Sequence, residues 1–274
     1  MTAHDPSLPQ HLAELAGRLA REVGAEIMRK RRIGVDVAAT KSSINDVVTE
    51  ADGAAERMLA DALLLARPAD GLVGEEGGAR ESTSGVTWVV DPIDGTVNYL
   101  YGLPLYAVSV AATVPDAGAF ADGRRAIAGA IYLPELDELY EAWQGGGARC
   151  NGEPIAVSEE VPLETALVGT GFGYTRERRT EQAAIVAQLL PDIRDIRRTG
   201  SAAYDLCLLA SGRLNALYER GLQPWDYAAG ALIVTEAGGR ILGRGDGTPP
   251  GDPLLVAGTP LLVAALRARV DHFA

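Results

Sequence analysis

Two aspartates, Asp91 and Asp94, stand three positions apart in the run Trp88-Val89-Val90-Asp91-Pro92-Ile93-Asp94-Gly95-Thr96. The residues before them, Val86 to Val90 with only Thr87 interrupting, read as a buried strand. Pro92 has no backbone N–H and is expected to end regular pairing. Ligands of α/β sheets sit just outside strand carboxyl ends, so both acids fall where a ligand would lie. Two carboxylates on one tight turn converge and repel each other. A hard divalent cation, which prefers oxygen ligands, relieves that repulsion. Taken alone, the same stretch also reads as a surface turn rich in Asp and Gly.

Other acids sit at comparable places. Leu72-Val73-Gly74-Glu75-Glu76-Gly77-Gly78 reads as a short strand opening into a glycine-rich loop. Such a loop is either a solvated acidic turn or a flap whose acids close over a site. Thr49-Glu50-Ala51-Asp52 fits a capping box, opening a helix that buries Ala55, Met58, Leu59, Ala62 and Leu63 and ends by Pro68. Asp226, in Pro224-Trp225-Asp226, is placed to cap a helix made by Ala228, Ala229, Leu232, Ile233 and Ala237. Thr199-Gly200-Ser201-Ala202-Ala203 opens another helix, which buries Leu206, Leu209 and Ala210. A helix N-terminus suits an anionic or hydroxyl-rich ligand, although an ordinary Ser cap explains the pattern equally well. Glu219 closes a short strand from Asn215 to Tyr218.

The elements that must position these groups alternate along the chain. Leu8, Leu12, Leu15, Leu19, Val23 and Ile27 recur every three or four residues and predict a long amphipathic helix to about Arg31, with Gly34 as its stop. Strands are predicted from Leu105 to Val114, Ala126 to Leu133, Glu138 to Trp143, Ala166 to Gly171 and Ile193 to Arg198. Gly145 to Gly152 is a turn-rich hairpin with an Asn-Gly step. A charged helix spans Arg176 to Leu190. A strand at Leu254 to Ala257 and a helix from Pro260 close the chain.

The 274 residues are 47% hydrophobic and only 5% aromatic, which predicts an aliphatic core of one large or two small domains. The formal net charge of -12 disfavours broad binding to nucleic acid or an anionic membrane. Cys150 and Cys207 have no metal-binding spacing and are expected to be buried, reduced thiols, consistent with a cytoplasmic protein. The first ten residues lack an apolar segment of the signal-peptide kind, and no run approaches a membrane span.

Four segments, in order and spanning most of the chain, carry a resemblance. They are Lys41-Ser42-Ser43 leading to Asp46 and Thr49-Glu50-Ala51-Asp52; Gly74-Glu75-Glu76; Asp91-Pro92-Ile93-Asp94-Gly95-Thr96-Val97-Asn98-Tyr99; and Trp225-Asp226-Tyr227-Ala228-Ala229-Gly230 with Glu236, Gly238 and Gly239. Together they resemble the inositol monophosphatase family, Mg-dependent and lithium-sensitive sugar phosphatases. The one departure noted is Tyr101, where the family often has histidine.

The resemblance implies an α+β / α/β fold, a layered αβαβα sandwich. Its N-terminal α+β half (1–150) would carry most metal ligands. Its C-terminal α/β half (151–274) would carry substrate contacts and Asp226. One Mg²⁺ would be held by Glu75, Asp91 and the Ile93 carbonyl, and a second by Asp91, Asp94 and Asp226. A third, looser ion would use Glu75. Glu75, Thr96 and Asp52 would align the attacking water, with Asp52 holding the Thr96 hydroxyl. Asp94, Gly95, Thr96, Gly200, Ser201, Ala202, Glu219 and Asp226 would contact substrate. The chain lacks a Cys-x5-Arg loop, and its histidines (His4, His11, His272) lie near the termini, so the acids must work through metal. The substrate implied first is inositol 1-phosphate. The alternatives are histidinol phosphate, fructose 1,6-bisphosphate and 3'-phosphoadenosine 5'-phosphate, or a regulatory role with the transcription machinery. A homodimer is implied.

Overall fold

The computed structural model describes residues 7–34, 37–40 and 47–271. Lys41 to Asp46, His4 and His272 lie outside the described residues. Helix α1 (Leu8–Ile33) buries Leu8, Leu12, Leu15, Leu19, Val23 and Ile27, the face expected from their spacing, and ends at Gly34. Strands β1 (Val37–Thr40) and β2 (Val47–Thr49) pair antiparallel, and α2 (Glu50–Ala66) follows directly. Met58, expected in its core face, is exposed.

Next come β3 (Gly71–Gly74), β4 (Ala79–Arg80), β5 (Thr87–Asp94), the short helix α3 (Thr96–Tyr101), and β6 (Ala107–Pro115). They are followed by β7 (Arg124–Leu133), β8 (Glu138–Trp143), β9 (Gly147–Cys150) and β10 (Glu153–Ile155). These strands form one sheet in the order β10-β9-β8-β7-β6-β5-β3-β4. The Asn151-Gly152 step turns β9 into β10 with both residues at positive φ, as a two-residue hairpin requires. A second sheet, ordered β12-β11-β13-β15-β14, is built from β11 (Leu167–Thr170), β12 (Asp195–Arg197), β13 (Ala216–Glu219), β14 (Arg240–Leu242) and β15 (Leu255–Gly258). Its helices are α4 (Arg176–Leu189), α5 (Ala202–Ala210), α6 (Pro224–Glu236) and α7 (Pro260–Val270).

Alternating side chains fix the layers. On β5, Trp88 and Val90 join the core under α1 and α2, while Val89 joins the core containing α5 and α6. On β13, Leu217 faces α5 and α6, while Ala216 and Tyr218 face α4 and α7. The result is α1 and α2, large sheet, α5 and α6, small sheet, α4 and α7: the αβαβα sandwich. Helices α5 and α6 are buried on both sides and therefore read as apolar runs, not amphipathic stripes.

The structure adds what short segments hid. Helices and strands of two to six residues (α3, β4, β14) show too few turns or alternations to be read by period. Helix α6 begins at Pro224, one turn before the expected start, because Pro fits the first helical position. Cys207 is buried, Cys150 only half-buried, and neither is bridged. Among the described residues no helix is long and apolar enough to cross a membrane.

Candidate metal centre

Strand register brings the acids together. β3 and β5 run parallel with Gly74 opposite Val90, so Glu75 leaves β3 beside Asp91. β5 does not end at Pro92 as its missing N–H suggests. Pairing with β6 instead breaks after Asp91–Ser109 and resumes at Asp94–Ala107, a one-residue bulge that absorbs Pro92. The bulge turns Asp91 and Asp94 toward the same space. Carboxylate oxygens of Asp91, Asp94 and Asp226 lie within 4.8 Å of one another. Glu75 lies beside this trio, and its side chain hydrogen-bonds Asp91. All four line a cavity of about 540 Å³ together with Ile93, Gly95 and Thr96.

Helix starts surround that cavity. Asp226, in the first turn of α6, accepts the Gln223 N–H at 2.7 Å and so caps its helix from inside. Asp52 does the same for α2, accepting the Thr49 N–H at 2.8 Å and the Thr49 hydroxyl at 2.5 Å. Its other oxygen accepts the Thr96 hydroxyl at 3.1 Å. The Thr96 hydroxyl also lies 3.1 Å from the Ile93 carbonyl. Asp94 sits at the N-terminus of α5, accepting the Ser201 hydroxyl and the Ala203 N–H, both at 2.6 Å. Gly95 has φ of 96°, and a Cβ there would lie 2.9 Å from the Leu105 carbonyl, so this turn between β5 and α3 requires glycine.

These carboxylates are held against their preference. Burial pushes the Asp91 carboxyl well above its usual range, and Glu75, Asp94 and Asp226 push further. Burial also raises Asp94, opposed by the Ser201 hydroxyl, the Ala203 and Ala202 N–H groups and Arg198. Asp52 is raised by burial against the pull of its Thr49 bonds. Crowded, buried, all-oxygen donors are the ligand set of Mg²⁺, which accepts a few carboxylates and keeps several waters. The residues present therefore fit that ion. A larger cavity of about 630 Å³ lies between α6 and β14, but Phe120, Ala228 and Leu232 make it mainly apolar, and it gathers no comparable acids.

A sequence model of the inositol monophosphatase family matches residues 8–271. The chain belongs to the inositol monophosphatase family. An inositol-1-monophosphatase of Mycobacterium leprae is 43% identical, over 97% of this chain and 95% of the relative. The Nus factor SuhB of Escherichia coli is 37% identical, over 94% and 95%. The solved IMPase TM1415 of Thermotoga maritima superposes with a TM-score of 0.83 at 30% identity, covering 95% of this chain and 96% of that one. The chain is thus a phosphoric monoester hydrolase of a family that generally depends on Mg²⁺.

The remaining expected positions of an inositol monophosphatase site also face the cavity. Gly200, Ser201, Ala202 and Glu219 line it, with Ser201 capping α5 by accepting the Tyr204 N–H at 3.2 Å. Burial pushes the Glu219 carboxyl well up, and Asp205, Asp226 and Asp94 add to this. Several contributors were given no role by the sequence. Asn98 donates to the Leu105 and Thr199 carbonyls at 2.6 and 2.9 Å, joining α3 to the substrate-side turn. Arg178, Arg198 and Arg220 also line the cavity, so three cations stand among its acids. Asp205 lines it too, its carboxyl pushed up to about 8 by burial. Tyr101, the departure from the family pattern, is exposed on α3.

Proposed function

We propose that this chain hydrolyses inositol 1-phosphate or a similar polyol monophosphate with two to three Mg²⁺ ions. The reading is carried by one observation, the convergence of Asp91, Asp94 and Asp226 beside Glu75 at the mouths of α2, α5 and α6. Phosphate monoester hydrolysis is among the slowest uncatalysed reactions, because a dianion repels its nucleophile and the alkoxide leaves poorly. Bound Mg²⁺ supplies Lewis acidity to phosphate oxygens, to the entering water and to the leaving oxygen. Glu75, Asp91 and the Ile93 carbonyl would hold one ion, Asp91, Asp94 and Asp226 a second, and Glu75 a looser third.

The chain's own groups do the orienting. Thr96, donating its hydroxyl proton to Asp52, turns a lone pair to the cavity and receives a proton from the attacking water. Asp52, its carboxyl raised by burial, takes the Thr96 hydroxyl proton in that relay, which leaves hydroxide to attack phosphorus. Backbone N–H groups of Gly95 and Thr96 would bind phosphate oxygens. Ser201 fixes Asp94, and Gly200 and Ala202 line the substrate side with it. Glu219 would accept hydrogen bonds from polyol hydroxyls. A homodimer, lithium inhibition and a cytoplasmic location accompany the proposal.

A second reading, a regulatory partner of the transcription machinery, is favoured by the name of the Escherichia coli relative. The two are separated by phosphate release from inositol 1-phosphate, histidinol phosphate, fructose 1,6-bisphosphate and 3'-phosphoadenosine 5'-phosphate, with Mg²⁺ and with EDTA. Release from the inositol ester that EDTA abolishes is expected. No release from any of the four leaves the regulatory reading alone.

A further inference from the structure

Glu56 lies on α2 one turn beyond Asp52, on the same helical face. It is 5% exposed. Its two carboxylate oxygens accept the Glu76 N–H at 2.7 Å and the Gly78 N–H at 2.8 Å. The loop between β3 and β4 is closed by the Gly74 N–H donating to the Gly78 carbonyl at 2.8 Å. The loop is wrapped so tightly on Glu56 that a Cβ at Gly74 would stand 2.3 Å from its Oε2. Glu75 is therefore held between two residues anchored against one buried carboxylate, and its own side chain meets Asp91.

We infer that Glu56 is a positioning residue for the metal centre: it folds the Gly74–Gly78 loop in advance, so that Glu75 meets Asp91 before any cation arrives. A buried carboxylate accepting two backbone N–H groups makes strong, charge-assisted bonds. Helix α2 then sets two parts of the site at once, Thr96 through Asp52 and Glu75 through Glu56. This inference rests on the reading of Glu75 as a metal ligand. It adds that the loop's order is built into the fold and not supplied by the ion.

Two measurements test it. In metal-free wild-type protein, NMR hydrogen exchange is expected to find the Glu76 and Gly78 amides already protected. Amides that exchange freely until Mg²⁺ is added would overturn the inference without any variant. In Glu56→Gln the amide NH₂ confronts one of the two N–H donors. Calorimetry should then give a Mg²⁺ dissociation constant raised about ten-fold, the size of one lost charge-assisted bond. Glu56→Asp, which keeps the charge, should recover part of this, and kcat at saturating Mg²⁺ should be largely restored in both. A folded Glu56→Gln protein with wild-type Mg²⁺ affinity sinks this inference alone. Wild-type protein that binds no Mg²⁺ sinks the proposed function with it.

Discussion

Replacing Asp91 with asparagine should make the metal-free protein more stable while removing its response to Mg²⁺. Asp91 is 1% exposed, and its oxygens lie within 4.8 Å of those of Asp94 and Asp226. At that distance and an effective dielectric of about 20, two unit charges repel by roughly 3.5 kcal/mol. Removing one charge from the trio lifts two such terms. Uptake of a proton sets a ceiling on any such penalty, roughly 5 kcal/mol at pH 7.5 for a carboxyl of ordinary pKa. Asparagine keeps an oxygen to accept the Ile93 N–H, now at 3.0 Å from Asp91. A gain of about 2–4 kcal/mol remains, or about 4–8 °C in melting temperature for a chain of this size. Because the folded-state pKa of Asp91 is raised, its favourable share is complete below the unfolded value near 4 and is lost as pH rises toward the folded one. The variant's advantage should therefore be large at pH 7.5 and vanish near pH 4. With Mg²⁺ at about a hundred times its dissociation constant, wild type should gain roughly 2.7 kcal/mol and the variant almost nothing. Thermal melts in EDTA and in Mg²⁺ at both pH values decide the matter. An Asp91→Asn protein melting at or below wild type in EDTA at pH 7.5 would refute the electrostatic account of this cluster.

Asn98→Ala leaves the Leu105 and Thr199 carbonyls without their donor and should cost about 2–3 kcal/mol of stability. Steady-state kinetics should show KM rising with it, since Thr199 leads into the Gly200–Ala202 wall. Asp52→Asn weakens the hold on Thr96 without touching the carboxylate trio. It should lower kcat by about 10²-fold while leaving Mg²⁺ half-saturation within a factor of about two. Glu219→Gln should raise KM for polyol phosphates about ten-fold, with Mg²⁺ binding by calorimetry unchanged.

Much of the frame was legible because its signals are long-range and redundant. The α1 face repeats through seven turns, and strands β5 to β8 of the large sheet alternate or run apolar over six or more residues. The acids of the candidate site were legible because each sits beside punctuation: Asp91 and Asp94 around Pro92, Asp226 after Pro224, Asp52 in a capping box, Glu75 among glycines. What stayed hidden depends on register. Nothing in Pro92 says that the ladder skips it and resumes at Asp94. Nothing in a helical Glu56 says that its carboxylate will close on amides twenty residues away. Arg178 and Arg198 look like surface charges until the first turn of α4 and the turn after β12 bring them to the cavity. Asn98 is one polar residue in a six-residue helix, too short for its period to point anywhere.

The sandwich has a mechanical corollary. Asp91 and Asp94 are borne by the large sheet, whereas Asp226 rides on a helix pressed between the two sheets. An ion gripping all three is a rivet through neighbouring plies of the laminate. Loading the site should therefore resist sliding of one sheet past the other, and chelation should loosen the seam between them well before it frays either edge.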